Sequence, residues 1–362
     1  MFGTFFVPGP TEVLPEVLAA MTQPMIPHRS AAFEALYARC AARLQTVFRT
    51  TRPVYIHTAS ATGMMEAGMR AAPAGRVLAL VNGAFSGRYA AIARGCGREV
   101  EELSVPWGEA VPLEQVEAAL RTGRFAVVTG AHSETTTGVL QDPQAITALA
   151  RRFGATALID SVTGLGGAAL ETEAWGLDYV LSGSQKAIAA PPGLSFAVAS
   201  EPFLAQAAQQ PARGRYLDLI ELDTFAAQHN TPATPAVSLF YALDVALERI
   251  VDETMEVRWA RHLAMQHAVE QWVESGEGGA LGIGILAPKG IRAPTVSVLT
   301  IPTAIGAERL WAAVRERGVT LGTGYGPLAP TTVRLGHMGE HTVEGVEHAL
   351  QMIVDAARSL TT

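Results

Sequence analysis

The sequence predicts an α/β protein: a largely parallel sheet covered by helices on both faces, followed by a smaller α+β domain. Three observations predict it. Short strand-like runs alternate with amphipathic helical stretches through the first part of the 362-residue chain. Those runs are apolar without alternation, the pattern of strands buried on both faces. After Pro235 the pattern changes to long helical stretches with few strands.

Taken in order, strands are expected at Val54–Thr58, Val77–Val81, Ala126–Gly130, Thr156–Asp160, Tyr179–Ser182 and Leu194–Ala199. Leu113–Arg121 and Pro143–Arg152 read as helices between them, and Met64–Ala72 as a helix after the first strand. Strands separated by helices give a parallel sheet with two covered faces. From Val237 to about Ser275 one long helix is expected, rich in Ala, Leu, Glu, Arg and Met. Gly276-Glu-Gly-Gly279 reads as a loop. Then come strand Thr295–Ile301, helix Ala307–Arg317, strand Thr332–Leu335 and helix Val343–Leu360. The expected division is an N-terminal segment, 1–15, near the active site, a large domain, 16–250, and a small domain, 251–362.

Composition narrows the function. Apolar residues make up 49% and charged ones 17%, so the chain is globular, and its length fits two domains. Net charge is −7 and no basic cluster is present, so nucleic acid is not an expected partner. No apolar run reaches membrane-spanning length, and the start, Met1-Phe-Gly-Thr-Phe-Phe-Val-Pro8, lacks a basic leader region. A cytoplasmic enzyme is expected. Cys40 and Cys96 lie in Ala- or Gly-rich helix-like stretches and read as small buried residues rather than a disulfide pair.

The chemistry concentrates at the carboxyl ends of the strands, where ligands of open α/β sheets bind. Ser60, Asn82, His132 and Asp160 each begin a suggestive segment there. Tyr179-Val-Leu-Ser-Gly-Ser-Gln-Lys186 is a strand that ends in small hydroxyl residues and one lysine, ahead of Pro191-Pro-Gly193. Asp160 ends the neighbouring strand. A lysine amine that can condense with an aldehyde, and a carboxylate that keeps a pyridine nitrogen protonated, are what pyridoxal phosphate chemistry needs. Thr58-Ala-Ser-Ala-Thr-Gly-Met64 follows a strand and opens a helix. Small residues and free N–H groups there suit a phosphate, with Ser60, Ala61 and Thr62 nearest.

Asp160-Ser-Val-Thr-Gly-Leu-Gly-Gly167 and Ser182-Gly-Ser-Gln-Lys-Ala187 with Pro191-Pro-Gly193 closely resemble the signature of class V, fold-type I pyridoxal phosphate enzymes. Within that class the chain resembles the alanine–glyoxylate, serine–glyoxylate and serine–pyruvate aminotransferases, from Pro8-Gly-Pro-Thr-Glu12 to Val333-Arg-Leu-Gly336. The resemblance implies a mostly parallel seven-stranded sheet sandwiched by helices, a small C-terminal α+β domain and a homodimer. It implies Lys186 and Asp160 as catalytic residues, with Phe85 and Val162 on the two faces of the cofactor ring. It further implies Thr135 near the ring oxygen, Ser184 and Gln185 beside the phosphate, and Thr231 and Thr234 reaching the partner's phosphate. Arg334 is implied as the clamp on the substrate α-carboxylate, with Pro8 and Gly9 beside the substrate. Three positions depart from the family: Ala61 replaces a usual glycine, Phe85 a frequent tryptophan and Thr231 a common tyrosine. Glu134 is expected to support its loop rather than transfer a proton.

The expected activity is transamination between a small amino acid, alanine or serine, and glyoxylate or pyruvate. A 2-aminoethylphosphonate–pyruvate transaminase is the alternative within the class. A cysteine desulfurase needs a nucleophilic cysteine in a C-terminal loop, and Gly322–Pro330 has none. A binding protein without turnover would have no use for both Lys186 and Arg334. No metal is expected. His337-Met-Gly-Glu340-His341 spells a zinc motif, but Gly339 and the preceding strand place it in a loop, where the two histidines do not share a helical face. Gly322-Thr-Gly324-Tyr-Gly326-Pro lacks a following helix and reads as a mobile loop at the substrate mouth. His28-Arg29 lies in a segment of the entrance with no role assigned.

Overall fold

The computed structural model describes residues 3–361, so Met1 and Phe2 of the expected N-terminal segment, and Thr362, lie outside the described residues. Seven strands form the main sheet in the order Val54–Thr58, Leu194–Ala199, Tyr179–Gly183, Thr156–Asp160, Phe125–Ala131, Arg76–Val81 and Val100–Ser104. Neighbours are parallel except around Leu194–Ala199, which is antiparallel to both of its partners. Thr156–Asp160, Tyr179–Gly183 and Leu194–Ala199 are buried at every residue, as strands covered on both faces must be. Helices such as Ala61–Ala71, Ala84–Gly95 and Pro143–Arg152 join them. The last of these starts where the Asp142 side chain accepts from Ala145 N–H at 3.0 Å, with Pro143 in the first turn.

A second sheet holds five strands in the order Phe5–Phe6, Thr320–Thr323, Thr332–Gly336, Val296–Thr300 and Gly284–Ile285. It has its own apolar core, in which Phe6, Leu299, Leu310, Leu335 and Ile353 are buried under helices Ala307–Glu316 and Val343–Thr361. The N-terminal strand therefore belongs to this second sheet, pairing Phe5 with Thr320. Immediately afterwards the chain crosses to the main sheet, where Thr11 N–H donates to Gln185 O at 2.9 Å. No helix among the described residues is long and apolar enough to cross a membrane.

Five elements differ from the sequence expectation. The seventh strand, Val100–Ser104, sits at the sheet edge and its glutamates are exposed, so it carries no continuous apolar run. The single long helix is two, Val237–Glu253 and Met255–Glu274, broken at Thr254 with φ 68°. The expected loop at Gly276–Gly279 contains a short helix, Glu277–Ala280. The glycine-rich stretch read as a mobile loop begins as strand Thr320–Thr323 and continues as a 3-10 turn, Gly326–Leu328. The helix after the first strand starts at Ala61 rather than Met64.

Candidate active site

Strand register brings the chemistry to one edge. Ala131 pairs with Asp160, Asp160 with Leu181, Gly183 with Ser195 and Leu194 with Thr58. The carboxyl ends of four strands and the start of Leu194–Ala199 therefore line up, and the segments that join them enclose a cavity of about 210 Å³. Its walls include Gly9, Ser60, Ala61, Thr62, Phe85, Thr135, Asp160, Val162, Gln185 and Lys186. Ten residues singled out in the sequence thus meet in one space.

Lys186 stands in the segment that links two antiparallel strands, Tyr179–Gly183 and Leu194–Ala199. Its amine donates to the Pro8 carbonyl and lies 5.9 Å from the Phe85 ring centre. Burial, with Arg334 next, lowers the Lys186 pKa to about 7. Burial raises the Asp160 carboxyl to about 7, while the Val162 N–H, donating at 2.8 Å, pulls the other way. The chain thus leaves an acid and an amine facing one cavity, each carrying less charge than it would in water. Gly9, at φ 115°, is required by this approach, because a Cβ there would overlap the Lys186 amine.

Ser60 begins helix Ala61–Ala71 in an extended conformation, and its side chain caps nothing in the helix. The Gly63 N–H donates to Ser60 O at 2.8 Å, which leaves the hydroxyl and the N–H groups of Ala61 and Thr62 for an anion. Phe85 is aimed by Glu134, whose buried carboxylate accepts from the N–H groups of Phe85 and Ser86 at 3.1 and 2.9 Å. The Thr135 and Thr163 hydroxyls share a 2.5 Å hydrogen bond on the cavity wall.

These groups fit pyridoxal phosphate. An amine stands ready for the aldehyde, a buried carboxyl lacks a cationic neighbour in contact, an aromatic face lies between them, and a helix start offers unused donors. The carboxyl raised by burial is the informative member, since a pyridinium N–H supplies the charge that burial has withheld.

Other expected residues lie differently. The Ser184 hydroxyl donates to Pro191 O at 2.6 Å and accepts from Leu194 N–H, so it braces the Pro-Pro-Gly turn and does not line the cavity. Thr231 bonds Ala233 O, and Thr234 is exposed; neither lines the cavity of its own chain. Arg29 donates to Asn230 Oδ1 and to Thr231 O at 2.7 Å, which accounts for the unassigned His28-Arg29 segment as a brace for the 230–234 stretch. Pro8 covers Lys186 through its carbonyl. Arg334 bonds Thr323 O at 2.8 Å and packs 5.6 Å from the Tyr325 ring, which lies 6.1 Å from Phe85. It stands at the cavity's edge and is near enough to depress Lys186.

Sequence reasoning missed Arg88, Thr163, Pro10 and Tyr325. Arg88 lines the cavity with its guanidinium 4.6 Å from the Phe85 ring. Its three-residue spacing from Phe85 on one helix was the available signal. His337 and His341 serve separate partners, Ser297 Oγ at 2.9 Å and Phe5 O at 3.2 Å. Cys40 is buried in the main core against Phe240 O, with its thiol pushed up by burial, and neither cysteine lines the cavity. A larger cavity of about 990 Å³ opens between Trp175, Trp259, Leu263, Glu270 and Arg292, but holds neither Lys186 nor Asp160.

The family model "Aminotransferase class-V" matches residues 5–343. The chain is 34% identical to the "Soluble hydrogenase, small subunit" of a Synechococcus species, covering 92% of this chain and 87% of that one. It is 30% identical to the L-aspartate–glyoxylate aminotransferase of Paracoccus denitrificans, over 97% of this chain and 91% of that one. The crystal structure of an alanine–glyoxylate aminotransferase from a Nostoc species superposes with a TM-score of 0.90 at 30% identity, covering 99% and 95% of the two chains. The fold is that of the fold-type I pyridoxal phosphate enzymes. The chain belongs to the class V aminotransferases, and it moves an amino group between an amino acid and a 2-oxo acid with pyridoxal 5'-phosphate as its cofactor.

Proposed function

We propose that the amino donor is alanine or serine and the acceptor glyoxylate or pyruvate. The carrying observation is the size and charge of the site. Arg334 stands at the edge of a cavity of about 210 Å³, and a space that small leaves little room beyond the cofactor. A small side chain suits it. The alanine–glyoxylate name of the Nostoc protein supports this reading.

When bound, pyridoxal phosphate supplies an aldehyde for amines and a ring that takes up the electrons released at the substrate Cα. The chain's residues do the rest. Lys186, whose pKa burial lowers to about 7 so that a large share of it is neutral at that pH, is the base that takes and returns the Cα proton. Asp160 holds the ring nitrogen protonated. Phe85 and Val162 fix the ring plane, and Thr135 serves the ring oxygen. Ser60, Ala61, Thr62 and Gln185 hold the phosphate. Arg334 clamps the substrate α-carboxylate beside Pro8 and Gly9.

A homodimer belongs to the same proposal. Thr231 and Thr234 do not line their own cavity and sit on a stretch braced by Arg29, which supports a role for them at a second copy's phosphate. The division into segment 1–15, large domain 16–250 and small domain 251–362 is part of the proposal; the presence of two apolar cores supports it, with Phe6 of the first segment packed in the second core and Met255 in the first. A cytoplasmic location is proposed from two unpaired cysteines.

The test is a donor–acceptor matrix read spectroscopically. Alanine or serine should bleach the absorbance of the lysine-bound cofactor, and glyoxylate or pyruvate should restore it. Turnover confined to 2-aminoethylphosphonate, or to aspartate, would overturn the donor assignment.

A further inference from the structure

Among the described residues, Arg258 is the largest side chain that is fully buried. It lies in the first turn of helix Met255–Glu274, just after the break at Thr254. All three of its guanidinium nitrogens are engaged. Nε donates to Gly166 O at 3.1 Å and Nη2 to Ala187 O at 2.7 Å. Nη1 meets Glu253 at 2.7 Å, and Nη2 meets Glu340 at 2.9 Å. Gly166 belongs to the segment that follows Asp160, Ala187 follows Lys186, and Glu340 lies beyond the strand that carries Arg334.

The next residues on that helix extend the grip. Arg261 pairs with Glu253 at 2.6 Å and donates to the carbonyls of Gly339 and His341. His262 accepts from Gly339 N–H at 3.1 Å through Nε2, so its proton sits on Nδ1 and is donated to Arg258 O at 2.8 Å. Arg249 also meets Glu340, at 3.4 Å, and Glu16, at 3.3 Å, so three arginines face three glutamates and the cluster is balanced in formal charge. It also gives the Gly339–His341 segment a structural occupation.

Burying a guanidinium is costly, and an apolar side chain of similar volume often fills such a space better. What an apolar side chain cannot do is hold two carbonyls of the main sheet's loops and a glutamate of the second sheet's segment at once. The turn after Lys186 needs holding, because Ala189 stands at φ 55°, a conformation unfavourable for a residue with a Cβ.

We propose that Arg258 is a positioning residue for the transamination: it fixes the turn that carries Lys186 and ties it to the segment that follows the Arg334 strand, setting the separation between proton-transfer base and carboxylate clamp. The proposal rests on the roles assigned above to Lys186 and Arg334.

Arg258→Lys and Glu340→Gln test it. A lysine keeps the charge but cannot reach four acceptors with a planar fork. In Arg258→Lys the amino-donor half-reaction at saturating alanine should slow on the order of ten- to a hundredfold, as expected when a reacting group is displaced by about 1 Å. Its KM for alanine should rise as well. In the cofactor-free protein, hydrogen exchange at the amides of Ala189 and Ala190 should accelerate, while strand Phe125–Ala131 stays protected. Glu340→Gln should raise KM more than it slows the saturated rate, since it loosens the Arg334 side alone.

Unchanged saturated rate and unchanged exchange at Ala189–Ala190 in a folded Arg258→Lys would overturn the proposal. So would a loss of protection spread evenly over both sheets, which marks a merely structural arginine. If Arg258→Lys does not fold, a folded Glu340→Gln with wild-type KM and rate overturns it. Failure of the Lys186 assignment is distinguishable, because Lys186→Ala would then retain turnover.

Discussion

The Phe85 N–H donates to the Glu134 carboxylate at 3.1 Å across 49 residues of sequence. Helix Ala84–Gly95 has no side-chain cap of its own, since Gly83 precedes it. Glu134 supplies the missing acceptor from another strand end, and takes Ser86 N–H and the Thr136 N–H and hydroxyl as well. A carboxylate at a helix start is stabilised by the helix dipole. The helix that carries the aromatic platform is thereby pinned to the segment that carries Thr135.

Glu134→Ala should therefore destabilise the cofactor-free protein, by about 1–3 kcal/mol for each donor left buried and unpaired. Glu134→Gln keeps an acceptor oxygen and should cost less, yet still weaken cofactor retention by tilting Phe85. Denaturant unfolding and a cofactor titration followed by quenching measure the two effects. A Glu134→Gln protein that matches the wild type in both would remove Glu134 from this role.

Much of this was legible in the sequence because apolar strands and their polar ends are local signals. Thr156–Asp160 and Tyr179–Gly183 announce themselves, and Asp160 and Lys186 follow from them. Val100–Ser104 was illegible because an edge strand with exposed Glu101 and Glu102 carries no apolar run. The break at Thr254 has no glycine or proline to mark it; tertiary contacts, among them those of Arg258, set it. The direction of the Ser184 hydroxyl depends on where Pro191 O lies, which no spacing rule reveals. Arg258 was hidden for a related reason: nothing in the sequence tells it apart from Arg261, the other arginine of its helix, as the one that is fully buried.

Lys186→Ala should abolish transamination and the capture of cofactor on the protein by borohydride, read by mass spectrometry of the intact chain. Asp160→Asn should leave the fold intact and reduce turnover by roughly ten- to a hundredfold, the effect of losing a charge-assisted hydrogen bond worth about 1.5–3 kcal/mol. In the cofactor-free protein Asp160→Asn should also lower the Lys186 pKa further, because the Asp160 charge acts to raise it. Amine labelling against pH reads this directly. Labelling of Lys186 unchanged by the substitution would place Asp160 outside its electrostatic reach.

Acid should weaken the cofactor-free protein in a defined window. Burial lowers His57, His132, His337 and His341 to about 4 and His262 well below its ordinary value. Unfolded, each titrates near 6.5, so between about 6.5 and 4 the unfolded chain binds more protons and stability falls as pH falls. Asp160 opposes this, because its folded pKa lies above the unfolded one and its contribution is lost as pH rises toward 7. Five histidines against one aspartate leave the histidines dominant. Denaturant unfolding at about pH 7 and about pH 5 should show the loss. Equal stability at the two values would mean that the histidines are hydrated or paired when charged.

Arg334→Ala should raise KM for both amino donor and oxo-acid acceptor, because both present the same α-carboxylate to one clamp. Removing a charge-assisted bidentate contact should cost about 2–4 kcal/mol in kcat/KM, roughly thirty- to a thousandfold. Cofactor content should stay normal, since Arg334 does not line the cavity and its one side-chain hydrogen bond is to Thr323 O. The same substitution removes a positive charge that depresses Lys186, so the lysine pKa in the cofactor-free protein should rise. That pairing separates a clamp from a strut. A strut would lose stability with KM intact, whereas a clamp at the cavity's edge moves KM and the Lys186 titration together. Arg29, bonded to Asn230 and Thr231, is committed elsewhere, so its replacement should leave KM for the donor close to that of the wild type.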